Sequence, residues 1–276
     1  MVTVGCYEDG RVMIETPNGF EITRTAADVA GAPTVLLIHG FLDDASVWDC
    51  LVDSLAGEVV TVRYDLPGFG TRTGSVAEAT SATLESLAAE AGSVLSGTDG
   101  PVIVVGQSMG TQVAELVAAQ HPDQVLALVL LTPVPLGGTN LPDEAIAPFG
   151  ALGGDWIAQR GVRAQLSPHL SDEQLDRLAD VGAPATADVT AHYANVWNDG
   201  VTDAPATSAF GGPVLIIRGG ADGFVTQQLV DAISARFADP EVNVVDKGGH
   251  WVHVEYPGTV ATMILDFTDA TQGEAR

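Results

Sequence analysis

The sequence of 276 residues predicts an α/β fold, a mostly parallel central sheet flanked by helices, with a helical cap insertion. Two observations predict it. Short apolar runs rich in β-branched residues alternate with stretches whose apolar residues recur every three or four positions. That alternation is interrupted once, by a long Gly- and Pro-rich stretch without a strong strand pattern. The expected core is residues 1–132 and 213–276, and the expected insertion is residues 133–212.

Taken in order, Arg11–Thr16 and Phe20–Arg24 are β-prone runs joined by Pro17-Asn18-Gly19, the composition of a tight hairpin turn. Val35–His39, Val59–Tyr64, Val102–Val105, Leu126–Leu131, Val214–Ile217 and Val242–Val245 then follow as continuous apolar runs. Such runs suit parallel strands covered on both faces. Between or after them, Leu84–Leu95, Thr111–Ala119, Gln228–Phe237 and Val260–Phe267 carry helical spacing. Within the insertion, Asp155–Leu166, Asp172–Leu178 and Asp188–Val196 are predicted helices.

Composition narrows the function. Eleven basic residues against thirty-six acidic ones give a net charge of −25, a field that repels nucleic acid and anionic membranes. No apolar run approaches the roughly eighteen residues needed to span a bilayer. Glu8 and Asp9 stand where a signal peptide would be basic and then apolar, so a cytoplasmic protein is expected. Cys6 and Cys50 belong to no closely spaced pair, which points to neither a metal nor a redox site.

Chemistry concentrates in four loops. The strand at Val102–Val105 runs into Gly106-Gln-Ser108-Met-Gly110, and a helix follows, the context in which Gly-x-Ser-x-Gly presents a nucleophile on a sharp turn. Serine needs a base to take its proton. His250 fits, because it follows the last strand-like run, and loops at the carboxyl ends of parallel strands are where such sheets place their sites. His253 is its competitor, on the following helix. The base needs a carboxylate to fix its tautomer. Asp222 lies in a Gly-rich loop just after Val214–Ile217, with Asp231 and Asp246 as alternatives. The order Ser108, Asp222, His250 is the order associated with this turn. Acyl transfer also needs donors for a developing oxyanion. The N–H of Met109 is one, and that of Phe41, in His39-Gly40-Phe41-Leu42, is the other. His39 reads as a residue that holds this loop. His250-x-x-His253 lacks a third ligand, so neither metal nor cofactor is expected.

Taken together, His39-Gly-Phe, Asp65-Leu-Pro-Gly-Phe-Gly70, Gly106-Gln-Ser-Met-Gly110, Gly219-Gly-Ala-Asp222 and Gly249-His250-Trp-Val-His-Val-Glu255-Tyr-Pro257 resemble the α/β-hydrolase superfamily from about residue 33 to residue 268. Esterases and cofactor-free haloperoxidases are the most similar members. The resemblance implies the α/β-hydrolase fold, a Ser108–His250–Asp222 triad, the Phe41/Met109 oxyanion hole and a cap over the pocket. Ser108 stands where epoxide hydrolases and haloalkane dehalogenases carry aspartate. Carbon–carbon bond hydrolases differ in the segment occupied here by His39-Gly-Phe. The expected activity is serine esterase action on a small-molecule ester, through an acyl-enzyme. The alternatives are carbon–carbon bond cleavage or lyase action, perhydrolysis, and a small-molecule receptor. Trp251, Phe149, Trp156 and Trp197 are the expected pocket-lining aromatics. Oligomeric state is not specified by the sequence.

Overall fold

The computed structural model describes residues 4–6, 11–15, 21–27, 31–98 and 100–274. Among the described residues nine strands form one sheet: β1 (Val4–Cys6), β2 (Arg11–Glu15), β3 (Glu21–Thr25), β4 (Thr34–Ile38), β5 (Val60–Tyr64), β6 (Val102–Gln107), β7 (Val125–Leu131), β8 (Val214–Gly219) and β9 (Glu241–Val245). Their spatial order is β1-β2-β3-β5-β4-β6-β7-β8-β9. The first three strands add antiparallel to β5, and the pairs from β5 through β9 are parallel. Strands β2 and β3 pair as the hairpin reading expected, with Glu15 opposite Glu21; the Pro17-Asn18-Gly19 turn itself lies outside the described residues.

Central position explains the apolar runs. Every residue of β4 and β6 is buried, because helices cover both faces of the sheet. On one face α3 (Leu84–Leu95) and α4 (Met109–Gln120) pack through Leu87, Ala91, Val113 and Val117. On the other, α1 (Asp49–Leu55) and α11 (Pro257–Glu274) pack through Leu51, Leu55, Val260 and Ile264. The short α2 (Val76–Ala79) precedes α3, α9 (Gln227–Ser234) follows β8, and α10 (Val252–Glu255) leads into α11. Strand β9 departs from expectation. It ends the sheet, and Val242 and Val244 are 38% and 39% exposed, so its apolar run is not covered on both faces.

Four helices lie between β7 and β8: α5 (Asp143–Gly150), α6 (Trp156–Leu166), α7 (Asp172–Gly182) and α8 (Ala187–Asp199). The last three match predicted helices, and their starts are capped by side chains. Asp155 accepts from the N–H of Ala158, Ser171 from Gln174 and Thr186 from Val189, each satisfying an N–H with no partner within its helix. Helix α5 was not expected; Pro148 near its end removes a backbone donor and breaks the sequence signal. Among the described residues, no helix is long and apolar enough to cross a membrane. Cys50 is a free thiol, and the side chain of Cys6 lies outside the described residues.

Candidate active site

Ser108 sits between β6 and α4 with φ +51° and ψ −124°, a conformation costing a non-glycine residue about 1–3 kcal/mol. Its surroundings enforce the turn. A Cβ added at Gly106 would meet the carbonyl oxygen of Gly110 at 2.2 Å, and one added at Gly110 would meet that of Ile38 at 2.3 Å. Only glycine lets strand, turn and helix approach this closely. The N–H of Ser108 donates to the Leu131 carbonyl at 3.0 Å, tying the turn to the neighbouring strand.

Three strand ends bring the predicted trio together. The Ser108 hydroxyl lies 3.0 Å from His250 Nε2, and His250 Nδ1 lies 2.8 Å from Asp222 Oδ2. All three are buried, with Ser108 retaining 9% exposure. Asp222 is oriented by its own turn: Oδ1 accepts from the N–H groups of Phe224 at 2.8 Å and Val225 at 3.0 Å. Burial pushes the Asp222 carboxyl up, but the charge and hydrogen bond of His250 and these two amides outweigh it, and its pKa lies below the ordinary carboxylate value. Asp222 is therefore an anion at neutral pH, so the proton of this bond sits on His250 Nδ1, and Nε2 faces the Ser108 hydroxyl.

The backbone around His250 is held from several sides. Its carbonyl accepts from Thr132 Oγ1 at 3.0 Å and Gln107 Nε2 at 3.2 Å. Its N–H donates to the Leu166 carbonyl at 2.9 Å, and the preceding Gly249 N–H to Glu255 Oε2 at 2.5 Å. Sequence reasoning missed Thr132, Gln107 and Glu255 as supports. Gln107 stands beside the nucleophile, and Glu255 lies within the quoted motif, so both carried a signal that spacing alone did not convert into a role.

Phe41 and Met109 flank the serine. Met109 is the first residue of α4, so its N–H has no acceptor within the helix. Phe41 lines the cavity at Ser108 from the loop after β4. His39 holds that loop, as expected: its Nε2 accepts from the Leu66 N–H at 2.9 Å, and Nδ1–H donates to the Gly40 carbonyl at 2.8 Å. His253 is not in the trio. It is fully buried against Trp48, with ring centroids 4.5 Å apart, and neither ring nitrogen has a hydrogen-bond partner among the described residues. Burial, with a smaller contribution from His250, lowers its pKa to about 3, so it stays neutral.

The cavity at Ser108 is about 40 Å³ and is lined by Phe41, Val134, Phe149, Trp197, Phe224 and Trp251, among others. Edge-to-face contacts rigidify its aromatic wall: Phe149 and Trp197 are 5.5 Å apart, Trp197 and Phe224 5.7 Å, and Phe224 and His250 5.8 Å. Phe149, Trp197 and Trp251 are part of this lining. Trp156 does not line this cavity. It starts α6 about 120° around the helix from Val162, which does face the serine, and its indole N–H bonds Asp180 at 2.7 Å instead. A larger cleft of about 700 Å³, beside Asp44, Asp65 and Arg177, lies apart from Ser108. Among the described residues, no cluster of three His, Cys, Asp or Glu could hold a metal ion.

Residues 35–263 match the family described as the alpha/beta hydrolase family. The chain is 30% identical over 256 residues to a pimeloyl-[acyl-carrier protein] methyl ester esterase of Cronobacter sakazakii, covering 84% of this chain and 91% of that one. It is 26% identical to an esterase of Mycobacterium tuberculosis, covering 86% of this chain and 83% of the relative. A bromoperoxidase of Bacillus anthracis has a similar fold, with a TM-score of 0.79 at 18% identity over 94% of this chain and 99% of that one.

Proposed function

On the premise that this chain belongs to the alpha/beta hydrolase family, we propose that it hydrolyses carboxylic esters through an acyl-enzyme on Ser108. One observation carries the reading: Ser108 Oγ, His250 Nε2, His250 Nδ1 and Asp222 Oδ2 form a continuous hydrogen-bonded line inside an otherwise apolar cavity. His250 Nε2 takes the hydroxyl proton as Ser108 attacks the ester carbonyl. The Met109 and Phe41 amides receive the oxyanion, and Asp222 stabilises the imidazolium. The alcohol departs with the proton from His250. Water then attacks the acyl-enzyme with His250 again as base, releasing the acid and restoring Ser108.

The cavity limits the acyl group. Among the described residues its lining holds no lysine or arginine, and the aromatic wall is closely packed, which suits a compact, uncharged acyl chain. Residues 133–212 act as a cap: Phe149, Val162, Leu166 and Trp197 come from this stretch and form much of the lining. The three active groups in hydrogen-bonding reach favour catalysis over a receptor role.

Release of p-nitrophenol from p-nitrophenyl acetate and p-nitrophenyl octanoate by the wild type and Ser108→Ala tests the reading. Acetate turnover above octanoate, abolished in the variant, is expected. A folded wild type inactive on both esters would refute ester hydrolysis and favour the carbon–carbon bond reading, to be followed with diketone substrates.

A further inference from the structure

Behind the cavity, a charged network joins three segments that are distant in sequence. Arg163 of α6 and Asp43 of the loop after β4 are both buried, at 0% and 1% exposure. Arg163 Nη2 donates to Asp43 Oδ1 at 3.0 Å and to the Leu42 carbonyl at 2.7 Å, and Nη1 donates to Gln159 Oε1 at 3.1 Å. The other Asp43 oxygen accepts from Trp251 Nε1 at 2.8 Å, while the guanidinium lies 5.2 Å from the centroid of that indole. Trp251 directly follows His250, and its N–H donates to Ser167 Oγ, just past α6, at 2.9 Å.

A buried ion pair gives little net stability over apolar packing, because both charges must be desolvated. Its position here suggests a different use. Leu42 has φ +66°, left-handed backbone that a leucine adopts only when its surroundings hold it there. The Leu42 carbonyl that Arg163 grips is the outer end of this turn. The next residue back is Phe41, whose N–H is the oxyanion donor in the reading above.

We propose that Arg163 is a positioning residue for that donor. Resting on the ester-hydrolase reading, the inference is that Arg163 and Asp43 fix the Leu42 turn so that the Phe41 N–H faces Ser108, and brace Trp251 beside His250. The inserted helix α6 is thereby part of the apparatus that stabilises the tetrahedral intermediate. Arg163 touches no substrate, since Val162 and Leu166, not Arg163, face the cavity. Lysine cannot replace it, because a single ammonium cannot fork to Leu42, Asp43 and Gln159 while lying over an indole.

Two variants test this, because Arg163→Met alone would strand a buried carboxylate. Arg163→Lys keeps the charge but loses the fork, and the double variant Asp43→Asn/Arg163→Met removes both charges. Each is compared with wild type in kcat and KM on p-nitrophenyl acetate, and in the rate at which a fluorophosphonate phosphonylates Ser108 with loss of fluoride. Loss of a whole oxyanion donor costs about 10²–10³-fold. A misplaced donor should therefore lower kcat and the phosphonylation rate together by about 10- to 100-fold, with KM changed less than about threefold. Folded variants whose kcat and phosphonylation stay within about twofold of wild type would overturn the inference, as would a change confined to KM. A wild type that is phosphonylated yet inactive on esters would defeat the ester reading alone, and the phosphonylation ratio would still decide the role of Arg163.

Discussion

His253 makes this protein sensitive to acid in a way that one substitution should remove. Its ring is fully buried against Trp48 without a hydrogen-bond partner among the described residues, and burial holds its pKa near 3 against 6.5 in a free chain. Over that interval the unfolded chain binds a proton that the folded chain refuses. Folding therefore bears no penalty from His253 above about pH 6.5, and stability is lost as pH falls toward 3. At about 1.4 kcal/mol per pH unit, the loss is about 3 kcal/mol by pH 4.5 and about 4 kcal/mol by pH 3, where the folded ring is itself half protonated. Other groups also titrate there, so the comparison must be between variants. Urea unfolding of wild type and His253→Leu at pH 7.5 and 4.5 isolates the contribution. The variant should lose about 3 kcal/mol less than wild type on acidification, and at pH 7.5 it should lose little stability, because no hydrogen bond is broken. Equal losses on acidification in the two proteins would refute the argument.

Other consequences of the geometry can be checked one residue at a time. Asp222→Asn removes the anion that fixes the His250 tautomer, and kcat on p-nitrophenyl acetate should fall about 10³- to 10⁴-fold with the fold intact by circular dichroism. Gly110→Ala forces a methyl group against the Ile38 carbonyl, 2.3 Å away, and should destabilise the protein by about 3 kcal/mol or more in urea, or prevent soluble expression. Trp197→Ala opens the aromatic wall beside Phe149 and Phe224; the ratio of octanoate to acetate turnover should rise at least about tenfold, and an unchanged ratio would place the acyl chain elsewhere.

The sheet and the trio were legible in the sequence for the same reason. Strands buried on both faces leave continuous apolar runs, and Ser108, Asp222 and His250 each follow such a run closely. Periodicity could not separate a central strand from an edge, so β9 read like β4 although Val242 and Val244 meet solvent. Helix α5 was hidden by Pro148, and the aromatic reading of Trp156 failed because composition does not say which way a helix faces. Arg163 was invisible for a related reason. An arginine within an amphipathic helix reads as solvent-facing, and its partners Asp43 and Trp251 lie about a hundred residues away on either side. Local patterns report burial and turns, whereas a network assembled across loops exists only in three dimensions.

The most direct test of the account is to trap the acyl-enzyme. Wild type and Asp222→Asn mixed rapidly with p-nitrophenyl acetate and quenched in acid should be measured by intact mass and by peptide mapping. An acetyl adduct on the peptide containing Ser108, formed at a rate consistent with p-nitrophenol release and absent from Ser108→Ala, is the predicted result. Steady turnover with no adduct at Ser108, or an adduct on another residue, would contradict it.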